Sequence, residues 1–117
     1  MSSLLEPINA PEAPKKPEWR DVIIIGAGFG GMRMLHECRN LGLSALVLEN
    51  GTKLGGTWHW NRYPGARSDT ESWAYCFFFS DELNNKFDFK ERYATQQDSL
   101  EYLNYAADAL DMHKDMR

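Results

Sequence analysis

The sequence predicts an α/β fold built on a βαβ unit with a parallel sheet. Three observations carry that prediction. A short β-branched run, DVIII at 21–25, halts on a glycine, as a strand buried in a parallel sheet does. The stretch MRMLHECRNLG at 32–42 sets Met32, Leu35, Cys38 and Leu41 three apart on one helical face, and Gly42 supplies a stop. A second apolar run, LSALVLEN at 43–50, reads as another buried strand with Glu49 at its tip. Strand, glycine turn, helix and strand within about thirty residues form one βαβ unit with a right-handed crossover.

The flanking segments are less regular. Residues 1–20 carry Pro7, Pro11, Pro14 and Pro17, which remove backbone donors and favour an extended arm ahead of a domain at 21–117. The stretch GGTWHWNRYPGARSD at 55–69 has no strand or helix period, yet it is too aromatic for an ordinary surface loop. ESWAYCFFFSDEL at 71–83 is aromatic without a clean period, and KFDFKERY at 86–93 alternates briefly. The strongest helix is TQQDSLEYLNYAADALDMHKD at 95–115. Thr95 with Asp98 makes a capping pattern, and Leu100, Leu103, Ala107 and Leu110 form a stripe expected to pack on the chain's own domain.

Composition narrows the function classes. Thirteen Lys and Arg against seventeen Asp and Glu leave a net charge of −4, which argues against nucleic acid or an anionic membrane as partner. No apolar run approaches the roughly 18 residues that span a bilayer, and the first residues do not read as a secretory signal. Cys38 and Cys76 do not make a disulfide framework, so both thiols are expected free and the chain soluble and cytoplasmic. No Cys/His cluster has metal-ligand spacing, and no Ser/His/Asp set stands in a recognisable context. His36 and His113 read as surface or packing residues.

Gly26, Gly28 and Gly31 form G-x-G-x-x-G between the first strand and the helix. The first glycine permits the tight turn, the second lets a pyrophosphate approach the backbone, and the third lets helix and strand pack closely. Phosphates then meet unpaired N–H groups at the positive end of the helix. Glu49, 23 residues after Gly26, is placed to accept hydrogen bonds from ribose hydroxyls. An acid there repels a 2′-phosphate, which leaves FAD or NAD.

The fifteen residues at 55–69 choose between them. Gly55, Gly56, Trp58, Tyr63, Pro64, Gly65 and Asp69 occupy the seven specified positions of a signature found near the N-terminus of Baeyer–Villiger monooxygenases, and the chain resembles that family from about Asp21 to Arg117. The resemblance implies a Rossmann-like FAD-binding unit in an enzyme that uses NADPH and dioxygen to turn a ketone into an ester or lactone through a peroxyflavin. It implies that Gly26, Gly28, Phe29 and Gly31 hold the FAD pyrophosphate and Glu49 its ribose. Gly56, Thr57, Trp58, Trp60 and Tyr75 would contact the cofactor, the last four at its flavin side. Arg67, Ser68 and Asp69 would reach the nicotinamide side, with Asp69 the catalytic carboxylate that orients an arginine.

The family's NADPH turn and that arginine have no counterpart in these 117 residues. The sheet is therefore expected to be incomplete. The ending DMHKDMR reads as stopping without a closing element, where the family begins another strand. The chain is expected to be the FAD-binding portion of a longer polypeptide, with the remainder as its partner, and to be inactive alone. The alternatives are a self-contained non-catalytic or oligomerising module, or another FAD-dependent monooxygenase that N-hydroxylates or S-oxidises. A simple NAD-dependent dehydrogenase is disfavoured, because nothing supplies a hydride-acceptor site.

Overall fold

The computed structural model describes residues 16–117, so most of the proline-rich arm (1–15) lies outside the described residues. Strand β1 (Val22–Ile25) and strand β2 (Ala45–Leu48) pair in parallel, Val22 opposite Ala45 and Ile25 opposite Leu48. Helix α1 (Phe29–Asn40) connects them and buries Met32, Leu35 and Cys38 against the sheet. The βαβ unit is thus present, with both strands shorter than the apolar runs suggested.

Three details depart from the sequence reading. α1 begins at Phe29, inside the glycine run, because Gly28 caps it in an extended conformation. Leu41 is 74% exposed: it caps the helix, and the left-handed Gly42 (φ +72°) carries the chain away. β1 is not buried on both faces either. α1 covers one face only, so Ile24 is buried while Ile23 and Ile25 are exposed.

The second half packs on this unit with little regular structure. One-turn helix α2 (Thr57–Trp60) and helix α3 (Asp81–Lys86) are short, and residues 87–93 form no strand despite their alternation. Instead Phe87 and Phe89 each pack against Tyr102, with ring centroids 5.1 and 5.2 Å away. Tyr102 lies on helix α4 (Gln96–Ala109), whose Thr95 cap accepts from the Asp98 N–H as the sequence predicts.

α4 stops six residues short of the predicted end. Asp111 turns the chain with a left-handed φ of +48°, and a 3-10 turn (His113–Asp115) follows. Arg39 latches this turn to α1 by donating to the Leu110 and Asp111 carbonyls (2.6 and 2.8 Å) and pairing with Asp115. Arg117 then donates to the Val47 carbonyl and accepts from the Glu49 N–H, so the last residues lie along β2. Met116 forms one isolated parallel bridge with Val47. Of the predicted α4 stripe, Leu103 and Ala107 are fully buried and Leu100 and Leu110 partly so; Tyr102 and Ala106 complete the packed face. Both cysteines are free, Cys38 buried and Cys76 half-buried.

The buried Tyr102 hydroxyl accepts from the Phe77 N–H at 2.7 Å, and burial pushes its pKa up to about 12. Tyr102→Phe leaves that amide without its partner and should cost about 1–3 kcal/mol. The measurement is the urea midpoint, expected to fall at unchanged slope.

Candidate functional site

The glycine turn is built by close backbone contacts. Gly26 adopts φ +96°, which L side chains rarely allow. A Cβ on Gly31 would lie 1.8 Å from the Gly26 carbonyl oxygen, so the third glycine lets α1 press onto the turn. The N–H groups of Gly28, Phe29, Gly30 and Gly31 make no hydrogen bond among the described residues, as expected for a helix start with no side-chain cap. Four open donors at the positive end of a twelve-residue helix suit a pyrophosphate.

Gly55 and Gly56 dock onto this turn. The Gly55 N–H donates to the Ala27 carbonyl at 2.9 Å. A Cβ on Gly56 would come within 3.0 Å of the Gly28 Cα, so glycine faces glycine across the contact. The contact places Thr57, Trp58 and Tyr75 along one groove with Gly28, Phe29 and Gly30.

Glu49 sits immediately after β2, half-buried. One carboxylate oxygen accepts from the Ala27 N–H and the other from the Gly51 N–H, both at 2.8 Å. These backbone donors, the Ala27 bond first, hold its carboxyl below the usual glutamate range. Each oxygen keeps a lone pair for a ribose hydroxyl. Ala27, Glu49, Gly51, Lys53, Asn104 and Arg117 are among the residues lining a cavity of about 450 Å³ at this end.

The other end is a cleft of about 540 Å³ that gathers Thr57, Trp58, Arg67, Ser68, Asp69 and Tyr75, with Asn61, Tyr63 and Ala66. Trp58 is buried, and its indole N–H donates to the Tyr75 hydroxyl at 3.3 Å. Asp69 is exposed and forms no ion pair among the described residues. Ser68 is buried, but its hydroxyl is engaged with Thr70. Arg67 pairs with Glu91 at 2.6 Å and donates to the Tyr93 carbonyl. Both bonds use Nη1, and Arg67 still lines the cleft.

Trp60 stands apart from Trp58. Its ring lies beside Gly51, where an added Cβ would meet it at 3.0 Å, and edge-on to His59. Gly51 also lies beside the Glu49 carboxylate and His59, so Trp60 neighbours Glu49 rather than Asp69. Trp73 is 71% exposed and His36 stacks on Phe79. Sequence reasoning missed Gln96, buried at the start of α4 and bonded to the Trp58 carbonyl. The capping pattern drew attention to Thr95 and Asp98, and nothing local marks a glutamine beside them.

The model of the NAD(P)-binding Rossmann-like domain matches residues 24–89. A Baeyer–Villiger monooxygenase of Pseudooceanicola batsensis is 50% identical over 95 residues, which are 80% of this chain and 17% of that protein. A phenazine N-monooxygenase of Lysobacter antibioticus is 44% identical over 98 residues, 83% of this chain and 18% of that one. A solved steroid monooxygenase bound to NADP superposes with a TM-score of 0.81 at 44% identity, covering 84% of this chain and 19% of that chain. The similarity to Baeyer–Villiger monooxygenases expected from the signature is borne out, and the chain spans under a fifth of each relative.

Glu49 gives this site a pH signature. A carboxyl held below its ordinary value stabilises the fold above that value, near pH 4.3, and the stabilisation is lost as pH falls through the folded pKa. Glu49→Gln should therefore lower stability at neutral pH and flatten the acid limb. Urea midpoints from neutral pH downward measure it, and an unchanged acid limb in Glu49→Gln would remove Glu49 from the linkage.

Proposed function

The chain belongs to the NAD(P)-binding Rossmann-like domain family, and from that premise we propose that it is the FAD-binding portion of a Baeyer–Villiger type monooxygenase. One observation carries the reading. The Gly28–Gly56 contact joins the open start of α1 to the groove of Thr57, Trp58 and Tyr75, with Glu49 at one end and Asp69 at the other. That is the layout of an elongated dinucleotide with a planar ring system at one end. The similarity to a Baeyer–Villiger monooxygenase and to an NADP-bound steroid monooxygenase supports the chemistry.

The residues divide the work. The N–H groups of Gly28, Phe29, Gly30 and Gly31 bind pyrophosphate, and Glu49 takes the ribose hydroxyls. Trp58 and Tyr75 wall the flavin end and exclude water. FAD, when bound, supplies redox and oxygen-activating chemistry, with NADPH as reductant. Asp69 presents its carboxylate beside that end, accepts a hydrogen bond there and orients a cation from the rest of the polypeptide. The substrates are a ketone and dioxygen, and the product is an ester or lactone.

A second reading, N-oxidation of an aromatic amine or N-heterocycle, is favoured by the relative that is a phenazine N-monooxygenase. The product separates the two: an ester or lactone against an N-oxide.

Titrating the chain with FAD and following flavin fluorescence should show saturable quenching with a Kd in the roughly micromolar range or weaker. No quenching would overturn the reading. The chain alone should consume no NADPH in response to a ketone; ketone-stimulated consumption would show that these 117 residues suffice for the activity. In a longer protein containing this segment, Asp69→Ala should lower ester formation by about 100-fold with FAD retained. Near-normal ester yield would refute its role.

A further inference from the structure

Gln96 opens α4 and is only 4% exposed, an uncommon place for an amide side chain. Its backbone N–H donates to the Ala66 carbonyl at 2.9 Å, and its side-chain Nε2 donates to the Trp58 carbonyl at 2.5 Å. One residue thus binds the Trp58 turn and the Ala66–Ser68 stretch to the first turn of α4.

The need for it follows from the length of α2. A one-turn helix leaves its final carbonyls without helical partners. Asn61 serves the Thr57 carbonyl through its N–H and side-chain amide, and Arg62 Nε serves the His59 carbonyl. Those donors lie within four residues of their acceptors. The Trp58 carbonyl is served from 38 residues away. Leu100 of α4 also packs beside Gly55, an apolar contact that sets no orientation.

We propose that Gln96 is a positioning residue for the cofactor cleft. It fixes α2 on α4 so that Trp58 and its hydrogen-bonded partner Tyr75 face the cleft that holds Asp69. The consequence for FAD rests on the function proposed above; the control over Trp58 does not. Without the amide donor a buried carbonyl is left unpaired, and the turn rotates to reach water. Rotation of α2 moves the Trp58 indole away from the Tyr75 hydroxyl and opens the cleft wall.

The test uses the full chain labelled with 5-fluorotryptophan, whose four tryptophans report separately by fluorine NMR. Trp58→Phe assigns the Trp58 resonance. Gln96→Met keeps an unbranched chain of similar volume and removes the donor. Its Trp58 resonance should shift or split while those of Trp19 and Trp73 stay in place, and FAD affinity should fall by about 10-fold. Gln97→Met, at the exposed neighbour, should change neither. An unmoved Trp58 resonance, or an FAD affinity within about twofold of the parent chain, would overturn the proposal. Should the parent chain take up no FAD, the FAD-binding reading fails, and the fluorine resonance still decides the control of Trp58. If Gln96→Met does not fold, Gln96→Asn, whose amide is one carbon too short, is read by the same two criteria.

Discussion

Two glycine-rich turns touch backbone to backbone, Gly28 against Gly56, with Gly55 bonded to the Ala27 carbonyl. The rest of the molecule depends on that contact. A side chain at Gly56 would press on the Gly28 Cα, and one at Gly31 would collide with the Gly26 carbonyl before α1 could seat. With all of them absent, the loop after β2 lies across the start of α1. That placement brings Trp58 and Tyr75 onto the groove while the first N–H groups of α1 stay open.

Around the contact, the chain satisfies its irregular backbone mostly with side chains and isolated pairings. Residues 66–72 are stitched to 91–96 through Ser68 with Ala94, Ser72 with Arg92 and Gln96 with Ala66. Ser72 also donates its hydroxyl to the Glu91 and Arg92 carbonyls. Asp69 sits in a segment with no helix or strand of its own, held from both sides. The Arg39 latch and the aromatic cluster on Tyr102 seat α4, and α4 in turn carries Gln96.

The βαβ unit was legible because its signals are local. β-branched runs, a glycine turn and a three-residue apolar spacing each act over a few residues. Thr95 as a cap was legible for the same reason. The α4 end was not, because it is decided by Arg39, more than seventy residues earlier in the chain. The alternation at 86–93 misled in a similar way. Phe87 and Phe89 both reach Tyr102 through bends, and a period of two does not distinguish that from a strand. Ile23 and Ile25 look like core in sequence and lie on the sheet face that α1 does not cover.

The sequence by itself determined the dinucleotide turn, the acid after the second strand and the family likeness carried at 55–69. Each depends on residue types whose chemistry is fixed wherever they stand: glycines that admit φ > 0, an acid and a tryptophan at set spacings. Only the tertiary structure decided that Trp60 lies beside Glu49 while Trp58 meets Tyr75, that Arg67 pairs with Glu91, and that Gln96 bonds to the Trp58 carbonyl. These are pairings between segments about 24 to 38 residues apart or between neighbours turned to opposite sides. A hydrogen bond of that kind is specified by where two backbones pass each other in space, and no local pattern along the chain records it.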